Sequence, residues 1–301
     1  MTDSNSSLEE QLSGLKPKAL DAFSRSAIDG ARHALADSDN PLRLNFFSCA
    51  MRILFEHIMG TLAPLDKVQK CSWFVKEKED GSPTRGQRIV FAIQGGLADP
   101  FVKNQLNVDI APLRKRLIYA VDNLSKHVHG REDTIISDME EQDREACAII
   151  DALRNFMETY HECRSAIVNP IQQELDDAAV DALLSETIQA VDQLASHHSV
   201  EEVYVNETLV KLIGPETIIF RAVGSIEVVL QWGSNSDLRR GDGAEIGQTF
   251  PFHCEIEVPL EDPWDLSLAE TEYFVDTSKW RDAMEPDYDD RYIRRDDSNA
   301  A

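Results

Sequence analysis

The hydrophobic positions of this chain change their period once, near residue 198. Upstream, apolar residues recur every three or four places, the spacing that gathers them on one side of a helix. From Pro17 to about Ala36 that stripe is Leu20, Phe23, Ala27, Ile28, Ala31 and Leu35. From Leu42 to Leu62 it is Leu44, Phe47, Met51, Leu54, Phe55 and Ile58, dense enough for a buried helix. Gln87–Gln94 predicts a further helix that stops at Gly95-Gly96. Pro112 stands at the start of another, a favoured place for proline, with Leu113, Leu117, Val121 and Leu124 on its apolar side. Glu140–Ile167 repeats the pattern with Ala146, Ile149, Ile150, Leu153, Phe156, Met157 and Tyr160. After Pro170 a last helix is predicted over Ile171–Ala195, with Leu175, Val180, Leu183, Leu184, Ile188, Val191 and Leu194 inward and His197-His198 at its end.

Downstream the pattern alternates. Glu202–Asn206, Thr217–Val223, Ser225–Trp232 and Thr249–Val258 are β-branched and aromatic, while Gly214-Pro215 and Gly224 read as turns. The fold class is therefore α+β: an N-terminal all-helical domain over residues 15–198, then a small antiparallel β-sheet domain over 199–265. Residues 1–14 are polar and acidic and predict a disordered N-terminus. Beyond Pro263 the chain thins to Trp264 and Trp280, and 266–301 reads as a thinly packed segment and acidic tail. Residues 281–301 hold seven Asp or Glu against four Arg.

One connection stands out. Residues 232–252 link two predicted strands and contain Asp237, Arg239, Arg240, Asp242 and Glu245 among four glycines. A hairpin turn needs only two to five residues, and long ordered connections on a sheet are common seats of function. Carboxylates converging on one point hold Mg²⁺ or Mn²⁺, so Asp237, Asp242, Glu245 and Glu255 from the following strand are candidate metal ligands. Asp237 and Asp242 would be the catalytic pair, and Arg239 and Arg240 match phosphate through their planar forks. The ordinary explanation is a solvated loop whose aspartates cap turns and pair with its arginines. A restriction-endonuclease-like core would also place a Glu-x-Lys pair on a strand; the strand here has Glu255-Ile-Glu257 and no lysine.

A second cluster closes the Pro112 helix. Asn123, Lys126 and His127 lie about one turn apart, followed by His129 and Arg131. Histidine suits acid–base work near neutral pH, which makes His127 and His129 candidate catalytic residues and Lys126 and Arg131 candidate phosphate contacts. The spacing is loosely similar to that of the HEPN ribonucleases, all-helical proteins that cut RNA without metal using an arginine and a histidine on one helix. Here Asn123 or Asp122 stands where the arginine would be. The ordinary explanation is a helix end, where basic side chains favour the dipole and Gly130 caps. Arg114-Lys115-Arg116 is a third basic cluster, either a phosphate patch or an exposed helix face.

The run Ser225–Pro259, with Leu-Gln-Trp-Gly-Ser-Asn-Ser-Asp at 230–237 and Phe-Pro-Phe at 250–252, resembles the predicted nucleases associated with prokaryotic PIWI proteins. The resemblance extends to Asn40–Pro64, residues 87–97 and Leu124–Thr134. It implies a component of a prokaryotic defence locus against phage and plasmids, with a nucleic-acid substrate and a protein partner from the same locus.

Composition narrows this. Thirty Lys and Arg against 54 Asp and Glu give a net charge of −24. Such a field repels a polyanion at long range, although salt screens it within about 8–10 Å, so a local basic patch can still act. No apolar run approaches the roughly 18 residues of a membrane span. The five cysteines are scattered, with no Cys-x-x-Cys, and the N-terminus is unlike a signal peptide; both predict a reduced cytoplasmic protein. Three functions follow: a metal-dependent nuclease acting through residues 232–252, a metal-independent ribonuclease acting through His127 and His129, or a non-catalytic scaffold or recognition subunit.

Overall fold

A computed structural model of the chain describes residues 2–129, 132, 135–185 and 187–284, with backbone alone for 2–7, 281, 283 and 284. The elements in chain order are α1 Thr2–Ser13, α2 Ala22–Ala36, α3 Arg43–Leu62, α4 Leu65–Val68, α5 Arg85–Gln94, α6 Asp99–Asn104, α7 Ile110–Val128, α8 Met139–Val168, α9 Gln172–Ser185 and α10 Gln189–Asp192. They continue with β1 His197–Ile213, β2 Thr217–Trp232, α11 Asn235–Arg240, β3 Ala244–Pro259, β4 Glu270–Val275 and α12 Ser278–Met284. The protein is α+β, helical first and then a four-stranded antiparallel sheet in the order β1-β2-β3-β4. It forms two compact units. Of the described residues, one holds those up to Gln172 with the strand ends Leu209–Phe220 and Glu257–Ala269, and the other holds those within Gln173–Thr208, Arg221–Ile256 and 270–284.

In the helical unit the apolar stripes of α3, α7 and α8 are buried: Phe47, Met51, Leu54 and Ile58 face Leu113, Leu117, Val121 and Leu124 and the α8 row around Ile150, Leu153 and Phe156. The N-terminal residues read from composition as disordered form α1. Leu8 and Leu12 are buried, and the helix packs on α2 and α8, because two leucines at a spacing of four suffice to seat one face. On α2 the buried row is Ser24, Ile28, Ala31 and Leu35, so the row begins at Ser24 and Phe23 is 51% exposed, tilted against the His57 ring at 4.6 Å.

Arg43, at the first position of α3, is 1% exposed. Its Nε donates to Gln142 Oε1 at 2.7 Å, one terminal nitrogen donates to the Leu35 carbonyl at 3.1 Å, and the other pairs with Asp143. One cation thus joins the end of α2 and the start of α8. Asn45 adds a bond from its amide to the His127 carbonyl at the end of α7, 2.7 Å long. Gly95 ends α5 at φ 59°, and a Cβ there would stand 2.4 Å from the Ile213 carbonyl oxygen. Trp73 Nε1 donates to the Gly95 carbonyl at 3.1 Å, so this tryptophan is a structural clamp.

In the second unit the last helix is shorter than its stripe predicts. α9 ends at Ser185, whose hydroxyl bonds back to the Ala182 carbonyl at 3.3 Å, a local bond that competes with helix continuation. Leu184 is 56% exposed, and His197-His198 opens β1 instead of closing a helix. On β2 buried residues alternate strictly with half-buried or exposed ones, through Ile218, Phe220, Ala222, Ile226, Val228 and Leu230. The strand passes straight through Gly224, where the sequence suggested a turn. A Cβ at 224 would meet the Tyr204 carbonyl oxygen at 1.9 Å and the Phe252 ring at 2.9 Å, so glycine here serves close approach of β1 and β3. β4, not foreseen, lies within the segment expected to be thinly packed. The chain just beyond it is tied to β3 by a bond from the Asp276 N–H to the Pro251 carbonyl, 2.9 Å long.

Gly224→Ala is expected to destabilise the protein by at least ~2 kcal/mol, since backbone and not a yielding side chain blocks the methyl. Denaturant unfolding followed on the sheet checks it; a midpoint equal to that of the parent would mean β1 and β2 separate more easily than the geometry allows.

Candidate functional site

The connection between β2 and β3 is shorter than the sequence suggested, because β3 begins at Ala244 and the segment before it folds into α11. Ser234 caps that helix, its hydroxyl accepting from the Asp237 N–H at 3.3 Å, and Asp237 returns the bond by accepting from the Ser234 N–H at 2.8 Å. Asp237 also accepts from the Ser234 hydroxyl at 2.7 Å and from Arg240 at 2.6 Å. Ser234 hydroxyl and N–H, then Arg240, hold its carboxyl below the usual carboxylate range. Arg240 reaches Asp242 as well, at 3.8 Å, and Gly241 closes the helix at φ 80°.

These partners account for the residues singled out in the sequence. Asp237 is a helix cap bridged through Arg240 to Asp242. Arg239 Nε donates to the Asn235 carbonyl at 3.3 Å. Glu245 is exposed at the start of β3, and Glu255 pairs with Arg221 across β2 and β3. The proposed ligands Asp237, Asp242, Glu245 and Glu255 do not gather. Among the described residues no three His, Cys, Asp or Glu side chains form a group able to hold a metal ion. The donors therefore do not fit a Mg²⁺ or Mn²⁺ site in this arrangement, and no reaction step is routed through one. A Glu-x-Lys signature would have been the sequence sign of such a site, and it is missing from β3.

The α7 cluster is different, because it gains a member from another helix. Asn123 is buried on α7 and its amide donates to Glu145 Oε2 of α8 at 3.3 Å, while Lys126 Nζ donates to Asn123 Oδ1 at 3.3 Å. An amide is held between an ammonium and a carboxylate. His127 is buried, 8% exposed, and His129 is exposed as the residue that ends the helix. Arg131 lies outside the described residues. Glu145 could not be found by sequence spacing: it stands 22 residues from Asn123 and meets it only where α7 and α8 pack.

The basic triplet is divided by helix geometry, since successive residues turn by about 100°. Arg114 faces a pocket of 240 Å³ with Gln94, Asp99 and Lys103, whereas Lys115 and Arg116 line a groove of 940 Å³ between α7 and α8. Asn123 lines the same groove. A further acid–base pair, unremarked in the sequence, sits on α2 and α3. Asp21 accepts from the Ser24 N–H at 2.7 Å and meets His57 Nε2 at 2.7 Å; these two, Ser24 first, lower its carboxyl to about 2.

An α+β protein, helical first and then bearing a four-stranded antiparallel sheet, is the class these features define. The chain belongs to the predicted pPIWI-associating nucleases, matched over residues 16–153 by one family model of that description and over 160–281 by a second. No curated protein and no solved structure matches it. No helix among the described residues is long and apolar enough to cross a membrane.

Asp237→Asn is expected to fray α11, giving faster amide exchange at Leu238–Gly241 with the global unfolding midpoint unchanged. Because the folded carboxyl titrates below its ordinary 3.8, its contribution is complete above that pH and is lost as pH falls through the lower folded value. Equal exchange in the two proteins at neutral pH would contradict the capping role.

Proposed function

We propose that this protein is the nuclease of a prokaryotic PIWI-linked defence system and that it cuts RNA with side chains of α7 and α8. The observation that carries the reading is the bonded array Lys126–Asn123–Glu145, at the end of a basic groove and within the half of the chain matched over 16–153. Glu145 supplies a carboxylate that takes the proton of an attacking 2′-hydroxyl as its oxygen bonds to phosphorus. Lys126 places a positive charge beside the oxygens that become more negative, and Asn123 fixes the separation of the two. His129, exposed and three residues beyond Lys126, is the donor for the departing 5′-oxygen. His127 is buried and acts in packing. This revises the sequence-based expectation by moving the base from a histidine to Glu145.

In this reading the protein acts beside a PIWI protein of the same locus. Its five cysteines, none in a disulfide, suit the reducing cytoplasm. The acidic bulk of the chain suits a basic surface on that partner.

Lys126→Ala and Glu145→Gln should each reduce cleavage of labelled single-stranded RNA by about 10²- to 10⁴-fold, the range of a lost acid–base group, with the melting temperature held. Cleavage by the parent should persist in EDTA. If EDTA abolishes cleavage and Asp237→Asn with Asp242→Asn does the same, the metal-dependent reading replaces this one.

A further inference from the structure

The groove between α7 and α8 is open and chemically two-sided. One wall is a single stripe of α7: Lys115 and Arg116, then Tyr119, then Asn123. At 1.5 Å per residue, Arg116 to Asn123 spans roughly 10 Å. The floor is apolar and low, with Ala120, Ile149 and Ala152, and Asn155 stands on the α8 side. Tyr119 is 64% exposed, on the side of α7 that does not carry the buried row Leu113, Leu117, Val121 and Leu124. An aromatic ring on a wall, above small floor residues and beside two cations, leaves room for a flat group against its face. Asp151, the one acid in the lining, is paired with Arg154 at 2.8 Å, which reduces its effect on an incoming anion.

We infer that this groove binds an unpaired nucleic-acid strand, with a base stacked on Tyr119, phosphates on Lys115 and Arg116, and a base edge met by Asn155. The inference deepens the proposed function and rests on it only for the choice of nucleic acid as ligand. Charge decides between strand types. A duplex presents one negative charge per ~1.7 Å of axis and hides its base faces, so a protein of net charge −24 meets dense repulsion and gains no stacking. A single strand is less densely charged and offers its bases to an exposed ring. The Asn155 amide can both donate and accept, which matches a base edge.

The test is fluorescence anisotropy of the full chain at low salt, in EDTA, with an oligothymidylate of about twelve nucleotides and a duplex of equal length. DNA is used because it has no 2′-hydroxyl and cannot follow the proposed cleavage route. The single strand should bind at least tenfold more tightly than the duplex. Tyr119→Ala should weaken it about tenfold and Tyr119→Phe should not, as expected of stacking. Lys115→Ala with Arg116→Ala should weaken it and lower the salt slope by about 1.4, two contacts on a single strand. All three positions are solvent-exposed, so unchanged melting temperatures are expected and are checked. Failure of the parent to bind, equal affinity for duplex, or unchanged affinity in the Tyr119 and double variants each overturns the groove assignment. Loss of cleavage in Lys126→Ala would then still support the nuclease. Binding at the groove without cleavage of any RNA would instead retire the nuclease and leave a recognition subunit.

Discussion

The helical unit depends on one buried cation. Arg43 is removed from water at the mouth of α3, and a buried guanidinium is tolerated only when its donors are met. Gln142, the Leu35 carbonyl and Asp143 meet them, which ties the end of α2 and the first turn of α8 to α3. Gln142 extends the network through its own amide to the Ile136 carbonyl at 2.6 Å. Leaving Asp143 and Gln142 without this partner would cost about 3–5 kcal/mol. The same first turn of α3 holds α7 through Asn45. The start of α8 and the end of α7 are thus located by neighbouring residues of one helix, and the pairing of Asn123 with Glu145 follows from that placement.

The two ends of the chain's chemistry answer to different constraints. Around α11 the charged and hydroxyl groups bond locally: serine caps, aspartate returns the cap, arginine closes on aspartate. Such a segment satisfies its own polar groups, which accounts for its dense composition without a ligand. Along α7 the polar groups reach across to another helix, and Tyr119 reaches into solvent. Groups bound across elements, next to an open groove, are those whose arrangement a ligand can use. This contrast, and not the number of acids or bases, separates the two candidate regions.

Much of the fold was legible because period is a property of sequence. The buried rows of α3, α7 and α8 follow the rows read from spacing, except that Tyr160 on α8 is half-buried, and the change near residue 198 does mark the passage to strands. The misreadings have physical causes. Gly224 reads as a turn because glycine permits one, yet here it is required by a carbonyl oxygen that leaves no space for a methyl. Phe23 reads as core because it falls on the helical spacing, yet α2 turns Ser24 inward. The connection after Trp232 reads as long because strand propensity is weak at Ala244-Glu245, where pairing with a neighbour and not the side chains makes β3. Glu145 was invisible, since no pattern along the chain announces a contact made by helix packing.

Photo-crosslinking reads the central claim, that an unpaired strand lies between α7 and α8, most directly. A single-stranded oligonucleotide bearing 5-iodouracil, irradiated on the full chain and mapped by mass spectrometry, should join at Tyr119 and yield no adduct in Tyr119→Ala. Adducts confined to Trp232 or Trp280 of the sheet-bearing unit, with none on α7, would contradict the account.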